Sequence, residues 1–173
     1  MADEKNTPQP AEAVPEGPSP EETYGLQSRF GEDVAWEKAA AGEAAVTVAR
    51  ERLLDVCRFL KEEHGFDFPL LVSGVDRGDR LESVVHLGQA GSARILILKS
   101  TLPYDDPRVP SVTSIWAGAE WHERESYDMM GIVYEGHPDL RRILLPEDWD
   151  EYPHPLRKEF KLDSAGGKFT IVE

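Results

Sequence analysis

The chain has 173 residues, and its 33 Asp and Glu against 19 Lys and Arg give a net charge of −14. Such an acidic balance argues against nucleic acid or anionic lipid as a partner, because both need concentrated positive charge. No apolar run approaches the ~18 residues of a membrane-spanning helix, and the single cysteine, Cys57, excludes an internal disulfide and an all-cysteine metal cluster. One cytosolic domain is expected.

The first 22 residues differ in composition from the rest. They hold five of the thirteen prolines and six acidic residues, with hardly any large apolar side chains. Such a segment buries too little surface to offset the entropy of ordering it. We therefore expect residues 1–22 to form a disordered acidic tail and the folded body to begin at residue 23.

Hydrophobic spacing predicts three helices, over residues 20–30, 50–64 and 112–130, each followed by a glycine. The second is the clearest, because Leu53, Val56 and Leu60 fall on one apolar stripe. On the third, Arg124 lies four residues from both Glu120 and Asp128, so it is placed to bridge two carboxylates. A solvated charged face is the alternative for this group.

Runs of apolar and β-branched residues predict strands over residues 45–48, 69–75, 81–87 and 94–98. Turn residues separate the last three strands, which therefore form antiparallel hairpins. A strand, a helix, three strands and a late helix predict an α+β fold, with a mainly antiparallel sheet and the helices on one side.

Beyond the third helix, regular periodicity disappears while apolar residues continue. Eleven large aliphatic or aromatic side chains lie from residue 132 to residue 160. An irregular segment this apolar needs a surface to lie on, and its length favours another protein. We therefore predict an α+β domain over residues 23–131 and an extended segment over residues 132–173 that docks on a partner. In the isolated chain we expect that segment to be mobile.

Acidic and histidine residues near the third helix raise the alternative of a metal enzyme. His122, Glu123, Glu125 and His137 are ligand types, yet Glu123 and Glu125 are two residues apart and point to different helix faces. The chain has no His-Glu-x-x-His motif and no glycine-rich phosphate loop. Cys57 in an apolar stripe is typical of a buried hydrophobe. The sequence therefore predicts no catalytic residue, metal or cofactor in this chain, with a free-standing Glu/His metal enzyme as the distant alternative.

A specific pattern begins at Glu123. Glu-Arg-Glu is followed by an acid at Asp128, two methionines, His137 and Arg141, and Pro-Leu-Arg-Lys comes later at 155–158. This pattern resembles the C subunit of the bacterial proton-pumping NADH:quinone oxidoreductase, respiratory complex I, and its chloroplast and cyanobacterial counterparts. The resemblance covers about residues 20–162.

The resemblance implies a small α+β protein without cofactors in the hydrophilic arm of the complex, peripheral to the cytoplasmic side of the cell membrane. Such a protein packs near the quinone site on the D subunit, a relative of the hydrogenase large subunit, with the B subunit nearby. It supports electron transfer from NADH to quinone coupled to proton translocation. FMN, iron–sulfur clusters, NADH and quinone are bound by other subunits. The chain is then a non-catalytic part of an enzyme. The alternative is the same subunit in a ferredoxin-, coenzyme F420- or hydrogenase-linked relative.

The resemblance also implies which residues form the family motif and the partner interface. These are Glu123, Arg124, Glu125, Tyr127, Asp128, Gly131, Gly136, His137, Pro138, Arg141, Arg142, Leu144, Pro155, Leu156, Arg157 and Lys158. The residues on the helix are expected to set its orientation. The basic residues after it are expected to contact the D subunit, with Leu144 and Leu156 as apolar anchors.

Overall fold

The computed structural model describes residues 19–38, 44–147, 149, 154–162 and 169–171. Residues 1–18 of the predicted tail therefore lie outside the described residues. The tail's last residues are helical, since Ser19 forms a capping box with Glu22 at the start of α1 (Pro20–Tyr24). The ordered body thus begins earlier than residue 23.

The predicted helix over residues 20–30 is two helices. Gly25 adopts a left-handed conformation with φ of 61°, which ends α1 and starts α2 (Leu26–Phe30). The Glu21 carboxylate accepts hydrogen bonds from the Gln27 and Ser28 amides and from the Trp36 indole. Burial raises the pKa of Glu21, but these hydrogen bonds outweigh it and lower the value to about 2.

A five-stranded sheet forms the centre of the molecule, in the order β1-β2-β5-β4-β3. The strands are β1 (Val34–Lys38), β2 (Ala44–Val48), β3 (Phe68–Asp76), β4 (Arg80–Gly88) and β5 (Ile95–Pro103). Only the β2–β5 pair of this sheet is parallel. The mainly antiparallel α+β prediction is confirmed, whereas β1 was not predicted and β5 runs five residues past its predicted end.

One face of this sheet carries the main core. Helix α3 (Leu53–His64) follows a 3₁₀ turn. Its predicted apolar stripe lies in one core cluster with Val46, Val85 and Leu98 of the sheet. Cys57 is fully buried in the stripe, as predicted, and burial raises the pKa of its thiol. The opposite face carries a smaller buried group of Ala45, Val84 and Ile97.

The predicted helix over residues 112–130 is shorter than expected. Two 3₁₀ turns, Val112–Ser114 and Ala117–Ala119, precede α4 (Glu120–Met130). Trp116 between them is extended, and its indole N–H donates to the Phe66 carbonyl at 3.0 Å. The prediction was wrong here because 3₁₀ turns also bury every third residue and so imitate helical spacing.

Helix α4 lies along the edge of the sheet that strand β3 forms. The Val72 amide of edge strand β3 donates to His122 Nδ1 at 3.0 Å. At Gly74, a Cβ would lie 2.9 Å from side-chain atoms of both Met130 and Ile132, so the end of α4 packs on bare backbone. The helix therefore covers an edge that otherwise invites strand pairing with another chain.

The folded body continues past residue 131. Strand β7 (Val133–Glu135) pairs in parallel with β6 (Arg108–Pro110), and Ile132 and Tyr134 are buried in the main core. Two further short strands, β8 (Phe160–Leu162) and β9 (Phe169–Ile171), form an antiparallel hairpin. Within the described ranges, none of the helices is long and apolar enough to cross a membrane.

Candidate functional site

The first motif residue on α4, Glu123, is fully buried. Its carboxyl accepts hydrogen bonds from the Ser111 hydroxyl at 2.6 Å and the Val112 amide at 2.8 Å. Burial raises the pKa of Glu123 to about 7, although both hydrogen bonds oppose that rise. Glu123 therefore ties α4 to the turn after β6 and is not itself a surface group.

Arg124 and Asp128 hold the chain that follows β7. The Arg124 guanidinium donates to the carbonyls of Arg141 and Arg142, each at 3.2 Å, and stacks 4.9 Å from the Trp121 ring. Arg124 is 5% exposed and Asp128 is 1% exposed, so the solvated-face alternative is wrong. Arg124 was predicted to bridge two carboxylates on its own helix. In the structure it instead donates hydrogen bonds to main-chain carbonyls.

Asp128 binds three consecutive amides. Its Oδ2 accepts from the N–H groups of Ile143, Leu144 and Leu145 at 2.8–3.0 Å. The other oxygen, Oδ1, is buried and has no hydrogen-bond partner in the described part of the chain, with Arg142 Nε at 3.9 Å. Charge-assisted bonds to one oxygen thus fix the backbone of residues 143–145.

His137 and Arg142 also contact this chain. The Asp139 amide donates to His137 Nδ1, so Nε2 carries the proton and donates to the Glu120 carbonyl at 3.0 Å. Arg142 donates to the carbonyls of Pro146 and Trp149. These two side chains, predicted as partner contacts, thus also bind main-chain groups of this chain, at Glu120 on α4 and at Pro146 and Trp149.

The Pro-Leu-Arg-Lys motif lies at the C-terminal end of α4. The Leu156 amide donates to the Met129 carbonyl at 3.2 Å, and Arg157 Nε donates to the Met130 carbonyl at 2.8 Å. Arg157 thus caps the C-terminal end of α4 from within the same chain. Its guanidinium lies 5.0 Å from the centre of the Tyr104 ring.

Several motif residues remain at the surface. Leu144 and Leu156 are 61% and 56% exposed, and the Arg141 side chain is 69% exposed with an ion pair to Asp139. The other exposed members are Glu125, Gly136, Pro138 and Lys158, while Tyr127, Pro155 and Gly131 are partly or wholly covered. The structure therefore divides the motif into a buried network and an exposed face.

The described residues contain no cluster of metal-ligating side chains that would support the alternative of a metal enzyme. Within the described residues, no three His, Cys, Asp or Glu side chains are arranged to hold a metal ion. His122 accepts from the Val72 amide, Glu123 is occupied by Ser111 and Val112, and Glu125 is exposed.

Sequence reasoning missed three anchors of this network. Asp76 accepts from the Lys158 amide at 2.8 Å and from the Tyr104 hydroxyl at 3.0 Å, and Ser111 binds Glu123. Asp76 lies in a predicted turn, where an Asx turn to Gly78 is an ordinary expectation. Nothing local signals its contact with a residue 82 positions later.

Comparison with known proteins gives consistent matches. The family model described as respiratory-chain NADH dehydrogenase, 30 Kd subunit, matches residues 46–165. The C subunit of NADH-quinone oxidoreductase from Saccharopolyspora erythraea is 46% identical over 138 residues, which are 76% of this chain and 55% of the relative. The chain therefore spans little more than half the length of that protein.

Two further matches extend over most of their own chains. The protein of the same name from a Roseiflexus species is 43% identical over 135 residues, 75% of this chain and 76% of the relative. A solved structure described as Nqo5 of the trypsin-resistant fragment (1-134) superposes with a TM-score of 0.57 at 30% identity. It covers 66% of this chain and 96% of that fragment.

Proposed function

Because the chain belongs to the family of the 30 kDa subunit of respiratory-chain NADH dehydrogenase, we propose that it is a non-catalytic structural subunit of the proton-pumping NADH:quinone oxidoreductase. It packs on the D subunit near the quinone site, with the B subunit nearby, on the cytoplasmic side of the membrane. Both relatives are named as C subunits of NADH-quinone oxidoreductase, which supports NADH as donor and quinone as acceptor.

The observation that carries this proposal is a pair of exposed leucines on a fixed backbone. The Leu144 amide is held by Asp128 and the Leu156 amide by the neighbouring Met129. More than half of the surface of each leucine is nevertheless exposed to solvent. Apolar side chains held in solvent on a fixed backbone are available to anchor a protein interface. We call Leu144 and Leu156 the leucine face.

Exposed charged side chains lie close in sequence to the leucine face. Arg141 and Lys158 are exposed, and each lies within three residues of one of the two leucines. A polar rim around an apolar centre is the usual composition of an interface. The partner surface on the D subunit is therefore expected to offer an apolar pocket with acidic residues at its border.

The chain's own chemistry supports a subunit without cofactors. Its one cysteine, Cys57, is fully buried, and burial raises the pKa of the thiol, which opposes the thiolate that a cluster needs. FMN, the iron–sulfur clusters, NADH and quinone are accordingly bound by other subunits of the complex.

The leucine face is tested by Leu144→Asp and Leu156→Asp in the native chain. We expect the double variant to fold but to fail to enter the membrane complex, because each aspartate must lose its hydration in an apolar pocket. The matched control is Leu70→Asp, a leucine 45% exposed on strand β3. Normal assembly of the double variant, or equal failure of the control, would contradict the assigned face.

Affinity purification from detergent-solubilised membranes, followed by mass spectrometry, tests the complex itself. Recovery of the B and D subunits with the flavin and iron–sulfur subunits supports the proposal. Recovery of those two without the NADH-binding subunits assigns the chain to a ferredoxin-, F420- or hydrogenase-linked relative. A chain recovered alone contradicts the proposal.

A further inference from the structure

We propose that residues 154–158 form a clasp that closes on the end of α4 in the free chain, so that the Leu156 part of the leucine face is in place before any partner binds. The clasp is a conformational device of this chain alone. It therefore stands or falls independently of which complex the chain enters. It also reverses the expectation, drawn from the sequence, that the whole C-terminal segment is mobile without a partner.

The first support for the clasp is that it supplies hydrogen-bond donors to the last carbonyl groups of α4. The last carbonyls of a helix have no intrahelical partner and need donors from elsewhere. Here the Asp128, Met129 and Met130 carbonyls meet His154 Nδ1, the Leu156 amide and Arg157 Nε, at 3.2, 3.2 and 2.8 Å. Three consecutive orphan acceptors are thus satisfied by one short segment.

The second support is an anchor on the sheet. The Lys158 amide donates to Asp76 Oδ2, which the Tyr104 hydroxyl also reaches. Burial raises the pKa of Asp76, but its hydrogen bonds outweigh that and leave the value lowered, as for a carboxylate held in its charged form. Asp76 sits at the end of β3, so the clasp joins α4 to the sheet by bonds within one chain.

The third support is the space at Gly131. This residue ends α4 with φ of 75°, and a Cβ there would overlap the His154 ring and lie 2.8 Å from the Arg157 guanidinium. The clasp therefore closes over bare backbone, and a Cβ at residue 131 displaces the His154 ring and the Arg157 guanidinium from their places. Gly136 has a similar φ of 83° with nothing within 4 Å of its Cβ position.

The two glycines provide a matched pair of variants. Gly131→Ala and Gly136→Ala both place a Cβ on a left-handed backbone and so incur the same kind of strain. Only Gly131→Ala also displaces the clasp. A difference between them therefore reports the contact with residues 154–158 and not the backbone strain.

Hydrogen exchange with mass spectrometry on the purified full chain, without partners, is the experiment. In the native chain we expect peptides over residues 154–160 to exchange at least about tenfold more slowly than an unstructured chain. Gly131→Ala should abolish that protection, while protection over α3 is retained and Gly136→Ala behaves as the native chain does.

A second variant guards against a general folding defect. His154→Ala leaves the backbone of α4 unstrained but removes one donor, so we expect it to speed exchange over residues 154–160 while leaving α3 unchanged. Exchange of residues 154–160 at the unstructured rate in the native chain overturns the clasp. Equal behaviour of the two glycine variants overturns it as well.

Discussion

At the scale of single residues, three charged groups of the motif are buried and bonded to main-chain atoms. Glu123, Arg124 and Asp128 are each at most 5% exposed, and each contacts backbone groups outside α4. A buried charge without such partners is costly. These three residues therefore fix the path of the neighbouring chain, and a loss of any one leaves its partners unsatisfied.

Glu123 gives a prediction about pH. Its pKa is about 7 in the folded chain against 4.5 for the free side chain, so the folded chain binds this proton more tightly than the unfolded chain. The free energy of unfolding that Glu123 contributes is therefore fully present at low pH. It falls by up to about 3 kcal/mol as pH rises from 4.5 through 7.

The variant Glu123→Gln imitates the protonated carboxyl, with an oxygen for the Val112 amide and an N–H for the Ser111 hydroxyl. We expect the difference in free energy of unfolding between Glu123→Gln and the native chain to grow in favour of the variant from about pH 5 to about pH 8. Urea titrations at several pH values measure it. The control Glu123→Ala should be less stable than the native chain at about pH 5. A difference that does not change with pH would show that the carboxyl is ionised throughout.

At the scale of elements, the edge strand β3 depends on α4. The Val72 amide finds its acceptor in His122 Nδ1 and not in another strand. Without that acceptor, an edge N–H faces the helix unpaired, which costs about 1–2 kcal/mol. It also leaves a strand with exposed Leu70 and Leu71 less well covered.

We therefore expect His122→Ala to lower the midpoint of urea unfolding and to increase self-association, measured by light scattering. The matched variant His122→Asn keeps an acceptor oxygen near the position of Nδ1 and should retain most of the stability. If both variants unfold at the native midpoint, the contact between His122 and Val72 contributes nothing to the edge.

Local patterns predicted those elements whose apolar residues form a regular stripe or an uninterrupted run. The stripe of α3 and the three strands from residue 68 to residue 103 are of this kind, and their positions follow from those patterns. Strand β1 had a usable signal that the prediction overlooked, since Val34 and Trp36 alternate with exposed residues. The 3₁₀ turns before α4 misled because their spacing resembles that of a helix.

Within the motif, sequence spacing did not predict the contacts that the structure shows. The i,i+4 spacing directed Arg124 to carboxylates on its own helix. Its actual acceptors, the carbonyls of Arg141 and Arg142, come from irregular chain whose path no local rule describes. The anchor at Asp76 was missed for the same reason.

At the scale of the whole molecule, the irregular chain after β7 is coupled to the body through Arg124 and Asp128. A chain that ends at Gly136 keeps strand β7 and the core residues Ile132 and Tyr134. It loses the carbonyls that Arg124 binds and the amides that Asp128 binds. We expect this shortened chain to fold with a lower free energy of unfolding, by about 3 kcal/mol or more.

The double substitution Arg124→Ala and Asp128→Ala tests whether that loss passes through these two residues. In the full chain it should cost about 3 kcal/mol or more, because backbone groups of residues 141–145 lose their partners. In the chain that ends at Gly136 it should cost little, because those groups are already gone. Urea unfolding of the four proteins gives the coupling energy directly. Equal costs in both backgrounds would mean that the segment is held by other contacts, and the buried motif charges would then serve α4 alone.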